Sequence, residues 1–242
     1  TASALSKTLH NTNYHIQLIE SDAIGTVGVG EATIPSIKAF NDALGLNEAE
    51  FLRETMGSFK LGIEFVNWGA IGARYIHPFG AYGLNLGPLS FYHYWMKMNQ
   101  MGISQDIGEY SISVCSARAD KFVKPQNIPG SPLSQINYAY HFDASLYAKL
   151  LRNYSEVRGV ERIEGEIKQV NLKPDNGYID GVVLKDGRTL QADFFIDCSG
   201  FRSLLLGDAL NVAFESWSDN LLCDRAVVVQ TENIDDGMPP YT

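Results

Sequence analysis

The sequence predicts an α/β fold built on a βαβ unit that is already under way at residue 1, and three observations predict it. A helix-like stretch at 2–11, with Leu5 and Leu9 four apart, runs into an alternating, strand-like segment at 14–20 that ends on Glu20. A glycine-paired loop, Gly28-Val29-Gly30, then opens into a helix at Pro35. Late in the chain, three apolar runs are separated by Pro174-Asp175-Asn176-Gly177 and Lys185-Asp186-Gly187-Arg188, which are turn signals that make a β-meander.

Each element follows from its spacing. In a dinucleotide-binding βαβ unit the order is strand, glycine loop, helix, strand, acid, and Glu20 falls where that acid belongs. The first strand and its phosphate loop are therefore expected upstream of Thr1. The alternative is a free-standing helix–strand pair with a solvated Glu20. Pro35 suits a first helical turn, and apolar residues at helical spacing predict helices over 36–45 (Ile37, Phe40, Leu44) and 48–56 (Phe51, Leu52, Met56). From 59 to 65 the period becomes two. Phe59, Leu61, Ile63 and Phe65 take one face of a strand, and Lys60, Gly62 and Glu64 the other. The Gly-punctuated region 66–95 reads as irregular, 91–99 as a short helix and 100–140 as connections. Asp143 caps a helix to Val157 with Leu146, Tyr147, Leu150, Leu151 and Tyr154 as its apolar stripe, and Gly159 ends it. Strands are expected over 160–172, 178–184 and 189–198, the last as a buried run into a glycine turn, followed by a helix near Arg202.

Bulk properties narrow the chemistry. The 242 residues make one large domain or two small ones with a real core. A formal net charge of -9 without a basic stripe argues against a nucleic-acid partner. No apolar run approaches the roughly 18 residues of a bilayer span, and no signal-peptide pattern opens the chain, so no membrane partner is expected. Three unevenly spaced cysteines suit reduced thiols in a cytoplasm, and the five histidines lack metal-ligand spacing.

Two features carry chemistry. Gly28 and Gly30 permit close backbone approach to a flat or anionic ligand. Lys60 places one amine on an otherwise apolar strand, with Gly62 leaving space beside it; by pattern alone it is a solvated lysine opposite Glu64. Phe195-Ile196-Asp197-Cys198-Ser199-Gly200 is no nucleophile elbow, because Asp197 stands where that motif needs glycine. It reads as a turn beside the cofactor cradle, with Cys198 inert.

Several strings together resemble one family: Ile19-Glu20-Ser21-Asp22, Val27-Gly28-Val29-Gly30-Glu31-Ala32-Thr33-Ile34-Pro35, Phe59-Lys60, Phe65-Val66-Asn67-Trp68, His77-Pro78-Phe79, His141-Phe142-Asp143-Ala144 and 195–200. The likeness, from residue 2 to the end, is to flavin-dependent tryptophan halogenases, and the glycine string and Phe59-Lys60 are its specific parts. The resemblance implies an FAD-binding, Rossmann-like fold of the flavoprotein monooxygenase type with an inserted meander, incomplete at both ends. It implies one partial domain over 1–242, with the substrate-side segment, about 59–140, inserted and no separate boundary. A phosphate loop is then expected before Thr1, and a Trp-x-Trp-x-Ile-Pro signature and a catalytic glutamate after Thr242.

The resemblance implies an oxidoreductase that uses reduced FAD from a separate flavin reductase, with oxygen and halide, to make hypohalous acid. Lys60 matches the lysine that delivers the halogen to tryptophan or another aromatic ring. Glu20 and Ser21 match the adenosine end of FAD; Ile24, Val27, Val29 and Ala32 match the flavin wall; and Ile167 matches a contact near the adenine. For Ile24, Val27 and Ile167 core packing is the equal alternative. His77 and Phe79 match the pair that sandwiches the substrate ring, against the alternative of a simple turn. A related flavin hydroxylase or oxidase, a non-catalytic folded fragment and a homodimer stay open.

Overall fold

The computed structural model describes residues 1–25, 33–225, 227 and 237–242. The glycine string, with Val27, Val29 and Ala32, lies outside the described residues. In chain order the elements begin with α1 (Ala2–Thr8), β1 (Gln17–Glu20), α2 (Ser36–Leu44) and α3 (Glu48–Glu54). There follow β2 (Ser58–Lys60), β3 (Gly62–Val66), β4 (Arg74–Pro78), α4 (Phe91–Gln100), α5 (Ile112–Arg118) and β5 (Ala139–His141). Helix α6 (Ala144–Glu156) leads to β6 (Glu161–Glu164), β7 (Ile167–Leu172), β8 (Ile179–Leu184) and β9 (Thr189–Leu190). The chain divides into two compact units, Thr1–Gly25 with Ser155–Val229, and Thr26–Tyr154 with Gln230–Thr242.

In the first unit β1 pairs in parallel with β6, from Gln17 opposite Glu161 to Glu20 opposite Glu164. The sequence places the parallel neighbour of β1 upstream of Thr1 and residues 160–172 in the meander; among the described residues the parallel partner of β1 is β6, from that run. The meander is present in the order β7-β8-β9. Its turns form where the sequence signals them, with Gly177 at φ 73° and Gly187 at φ 91°, left-handed conformations that glycine adopts without strain. The expected strand at 160–172 breaks between β6 and β7, and the expected 189–198 strand keeps only two residues. Beyond β9, Phe194 is 80% exposed and Ile196 48%, so within the described residues this run is not a buried strand. Asp197 explains the geometry there: its carboxylate accepts from the Ser199 N–H and hydroxyl and from the Leu205 and Leu206 N–H groups. Those four bonds outweigh the burial that opposes ionisation and hold the acid near 2.

The second unit holds two antiparallel ribbons, β2–β5 and β3–β4. Its core gathers Phe51, Leu61, Ile76, Val114, Ala117, Ile136, Tyr138, Tyr140 and Phe142. The strand expected over 59–65 is two strands. At Lys60 the backbone pairs with Ala139, and at Gly62 it pairs with Pro78. The change of partner buries Lys60, Leu61 and Gly62 in succession, which ends the two-residue alternation. Strand β4 lies in the region expected to be irregular, and α5 and β5 in the region expected to be connections. The predicted helices at 36–45, 48–56, 91–99 and 143–157 are all present within a few residues. Asp143 caps α6 as expected, accepting from the Ser145 and Leu146 N–H groups.

Candidate active site

Lys60 closes β2, and its side chain is 0% exposed. Its Nζ has no hydrogen-bond partner among the described residues and lies 5.8 Å from the centroid of the Phe79 ring. Water is thus replaced by protein around a cation that no carboxylate compensates, and burial lowers its pKa below the ordinary lysine value. The solvated pairing with Glu64 does not form. Glu64 is instead gripped by Arg74 through two bonds of 2.6 and 2.8 Å. Gly62 serves a different purpose from the space expected beside Lys60. A Cβ there would stand 2.5 Å from the His77 carbonyl oxygen, so the absence of a side chain lets β4 close against β3.

The close approach of β4 also carries the two expected ring-binding residues. His77 sits on β4 opposite Ile63 and is exposed; Phe79 follows the strand and is half-buried. The Phe79 N–H donates to the Leu61 carbonyl at 2.8 Å, which ties it to the residue after Lys60. Lys60 and Phe79 are therefore brought together. Beside Leu61 and Gly62, on another edge, runs the segment 240–242: Leu61 N–H donates to Pro240 O at 2.6 Å, and Glu64 N–H to Thr242 O at 2.7 Å.

The other face of β2 is aromatic. Phe59 stacks on Phe122 with centroids 3.9 Å apart, and Tyr138, just before β5, and Tyr140, within it, both donate to Glu48 Oε1 at 2.7 Å. Lys124 pairs with the second oxygen of Glu48. Burial opposes the charge on Glu48, but the bonds from Lys124 and the two tyrosines hold it below its ordinary value. The same carboxylate, after burial, pushes both tyrosine hydroxyls up. Sequence reasoning missed this cluster; the alternation Tyr138-Ala139-Tyr140-His141, large and small on opposite faces, was its visible signal.

Of the residues assigned to FAD, Glu20, Ser21, Ile24 and Ile167 fall in the first unit, while Val27, Val29 and Ala32 lie outside the described residues. Glu20 ends β1 at the carboxyl edge of a parallel pair, where a ribose-binding acid belongs. Arg162 holds it in place through Nε at 2.7 Å and also binds Asp22 and Glu164. The Ser21 hydroxyl donates to Glu164 at 2.9 Å, and Ile24 is 51% exposed rather than core. Ile167 opens β7 opposite Leu184. An oriented acid at the end of a parallel strand fits the adenosine side of a dinucleotide.

The sequence matches the tryptophan halogenase family over residues 1–242. It is 38% identical over 259 residues to the tryptophan 7-halogenase RebH of Lentzea aerocolonigenes, and 36% over 261 to the tryptophan 6-halogenase ThaL of Streptomyces albogriseolus. Each match takes in 100% of this chain and 48% of the relative, so the chain spans about half the length of the curated relatives it matches. Among solved structures, a flavin-dependent halogenase from Xanthomonas campestris superposes with a TM-score of 0.82 at 44% identity, covering 90% of this chain and 43% of that one. Another, from Brevundimonas sp. BAL3, gives 0.82 at 40% with the same coverage.

Proposed function

The chain belongs to the tryptophan halogenase family, and from that premise we propose that it carries the FAD-binding edge and the reactive lysine of a flavin-dependent halogenase. Its substrate is an aromatic ring, tryptophan or another indole, and its partner is a flavin reductase that supplies reduced FAD. Bound reduced FAD, with oxygen and a halide ion, supplies hypohalous acid. Glu20 orients the ribose hydroxyls, with Ser21, Ile24, Val27, Val29, Ala32 and Ile167 along the same ligand. His77 and Phe79 hold the substrate ring.

Lys60 performs the transfer. As the neutral amine it attacks the halogen of hypohalous acid; the N–X bond forms as the O–X bond breaks, and water leaves. The ring carbon then takes the halogen, its C–H proton departs, and the amine is restored. A lysine in water is almost wholly protonated at neutral pH and has no lone pair to offer, whereas a desolvated one sheds its proton more readily. The observation that carries this reading is the fully buried Lys60 amine, unpartnered among the described residues and beside the Phe79 ring. The test is product formation by the full protein with reductase, bromide and tryptophan. Halogenated product is expected from wild type and none from Lys60→Ala; a normal yield from the alanine variant would refute the assignment.

A further inference from the structure

Lys60 shares its side of the β2–β5 ribbon with a histidine. Ser58 stands opposite His141 and Lys60 opposite Ala139, so these four side chains lie on one face. His141 is then the diagonal neighbour of Lys60, about 7–8 Å away across the strands, with the small Ala139 beside it. Both ring nitrogens are engaged: Nδ1 with the Ser58 hydroxyl at 3.4 Å and Nε2 with the Thr242 hydroxyl at 2.9 Å. Thr242 is itself fixed, since its carbonyl accepts from Glu64 N–H on β3. The imidazole thus bridges the strand that bears Lys60 and the segment that lies along the next one.

We propose that His141 is a positioning residue for the Lys60 amine: held between Ser58 and Thr242, its ring closes the sheet face on which that amine sits and keeps the amine out of water. Burial first, and then the Lys60 charge, push His141 down to about 4, so at neutral pH it adds no second cation to the face. Helix α2, which packs on β5, brings Lys38 and Asp42; Glu64 on β3 binds Thr242, next to Tyr241; and β4 and α5, packed on β3, bring Arg74, Tyr75, His77 and Arg118. Glu64 is paired with Arg74, Lys38 with Asp42, and Arg118 with Glu109, and Lys60 is the charge that acts on His141. The catalytic consequence rests on the role proposed for Lys60 above; the coupling of the two side chains does not.

The experiment follows lysine 13Cε and histidine ring resonances by NMR through a pH titration, with Lys60 assigned by its loss in Lys60→Met. In wild type the Lys60 midpoint is expected below that of the exposed lysines. His141→Ala lets water onto the face and raises that midpoint by about one pH unit. His141→Gln, whose amide can replace the Nε2 bond to Thr242, restores it. Separately, Lys60→Met removes the charge that lowers His141 and raises the His141 midpoint above its wild-type value. The proposal is overturned if the Lys60 midpoint is the same in wild type and in a folded His141→Ala protein. Should the alanine variant not fold, a His141 midpoint indifferent to Lys60→Met overturns it alone. Neither readout needs turnover, so a normal product yield from Lys60→Ala would refute the halogen-transfer role without touching this result.

Discussion

The two faces of β2 hold lysines in opposite conditions. On one, Lys124 lies 6.0 Å from the Phe59 ring, 59% exposed by side chain, and pairs with a carboxylate that two tyrosines also bind. On the other, Lys60 lies 5.8 Å from the Phe79 ring, buried and without a carboxylate among the described residues. Both have an aromatic neighbour at nearly the same distance, so the ring does not distinguish them. Solvation and the counter-charge do. An exposed, paired ammonium stays charged and structural. A dry, unpaired one is destabilised as the cation, and the same free energy that folding loses there favours the nucleophilic form. A paired, structural cation is placed on one side of a three-residue strand and a destabilised one on the other.

Mutations that act on one face and spare the other should sharpen this contrast. The largest loss is expected from Phe51→Ala. That ring is almost fully buried and meets Tyr140, Phe142 and Tyr147 edge-on at 4.9–5.4 Å. Its removal should cost about 3–5 kcal/mol in denaturant unfolding. Lys60→Met should run the other way, gaining about 1–3 kcal/mol while abolishing halogen transfer, because it removes a buried unpaired charge. The folded state depresses Lys60, so the unfolded chain binds more protons. Wild-type stability should therefore climb as pH rises from the folded midpoint toward the ordinary value of 10.5, and the methionine variant should lack that climb. A loss of stability in Lys60→Met would break the comparison.

On the aromatic face, Glu48→Gln should cost about 1–2 kcal/mol at neutral pH. The folded carboxylate is held below its ordinary value of 4.5, so its contribution is present above that pH and is lost as pH falls through the lower folded value. The glutamine variant should be flat across that window. The smallest effect, about 1 kcal/mol, is expected from Asp143→Ala, which removes the cap of α6. Thermal melts will register it, and the Lys60 titration should not move.

What was legible in the sequence was local. The α6 cap and stripe, the two meander turns and the acid at the end of β1 are each specified within a few residues, so pattern alone finds them. Strand β5 has three residues and exists because β2 and Thr33 pair with it. No local period announces such a strand. The partner exchange at Leu61 is likewise tertiary, and it turned an expected alternating face into three consecutive buried positions. For the same reason the pattern at Lys60 pointed to solvent, and only the resemblance pointed to a reactive amine. Arg162, which orients Glu20, left no local signal, since a lone arginine on a short strand is usually a solvated side chain.

The pairing of Leu61 with Pro240 has a consequence for biosynthesis. The segment that runs along β3 from the residue after Lys60 comes from about 180 residues later in the chain. At translation rates of roughly 5–20 residues per second, the nascent strand waits on the order of ten seconds or longer for that neighbour. During this interval the edge of β3 stays open, and the late contact must also overcome the loop-closure entropy of a long intervening segment.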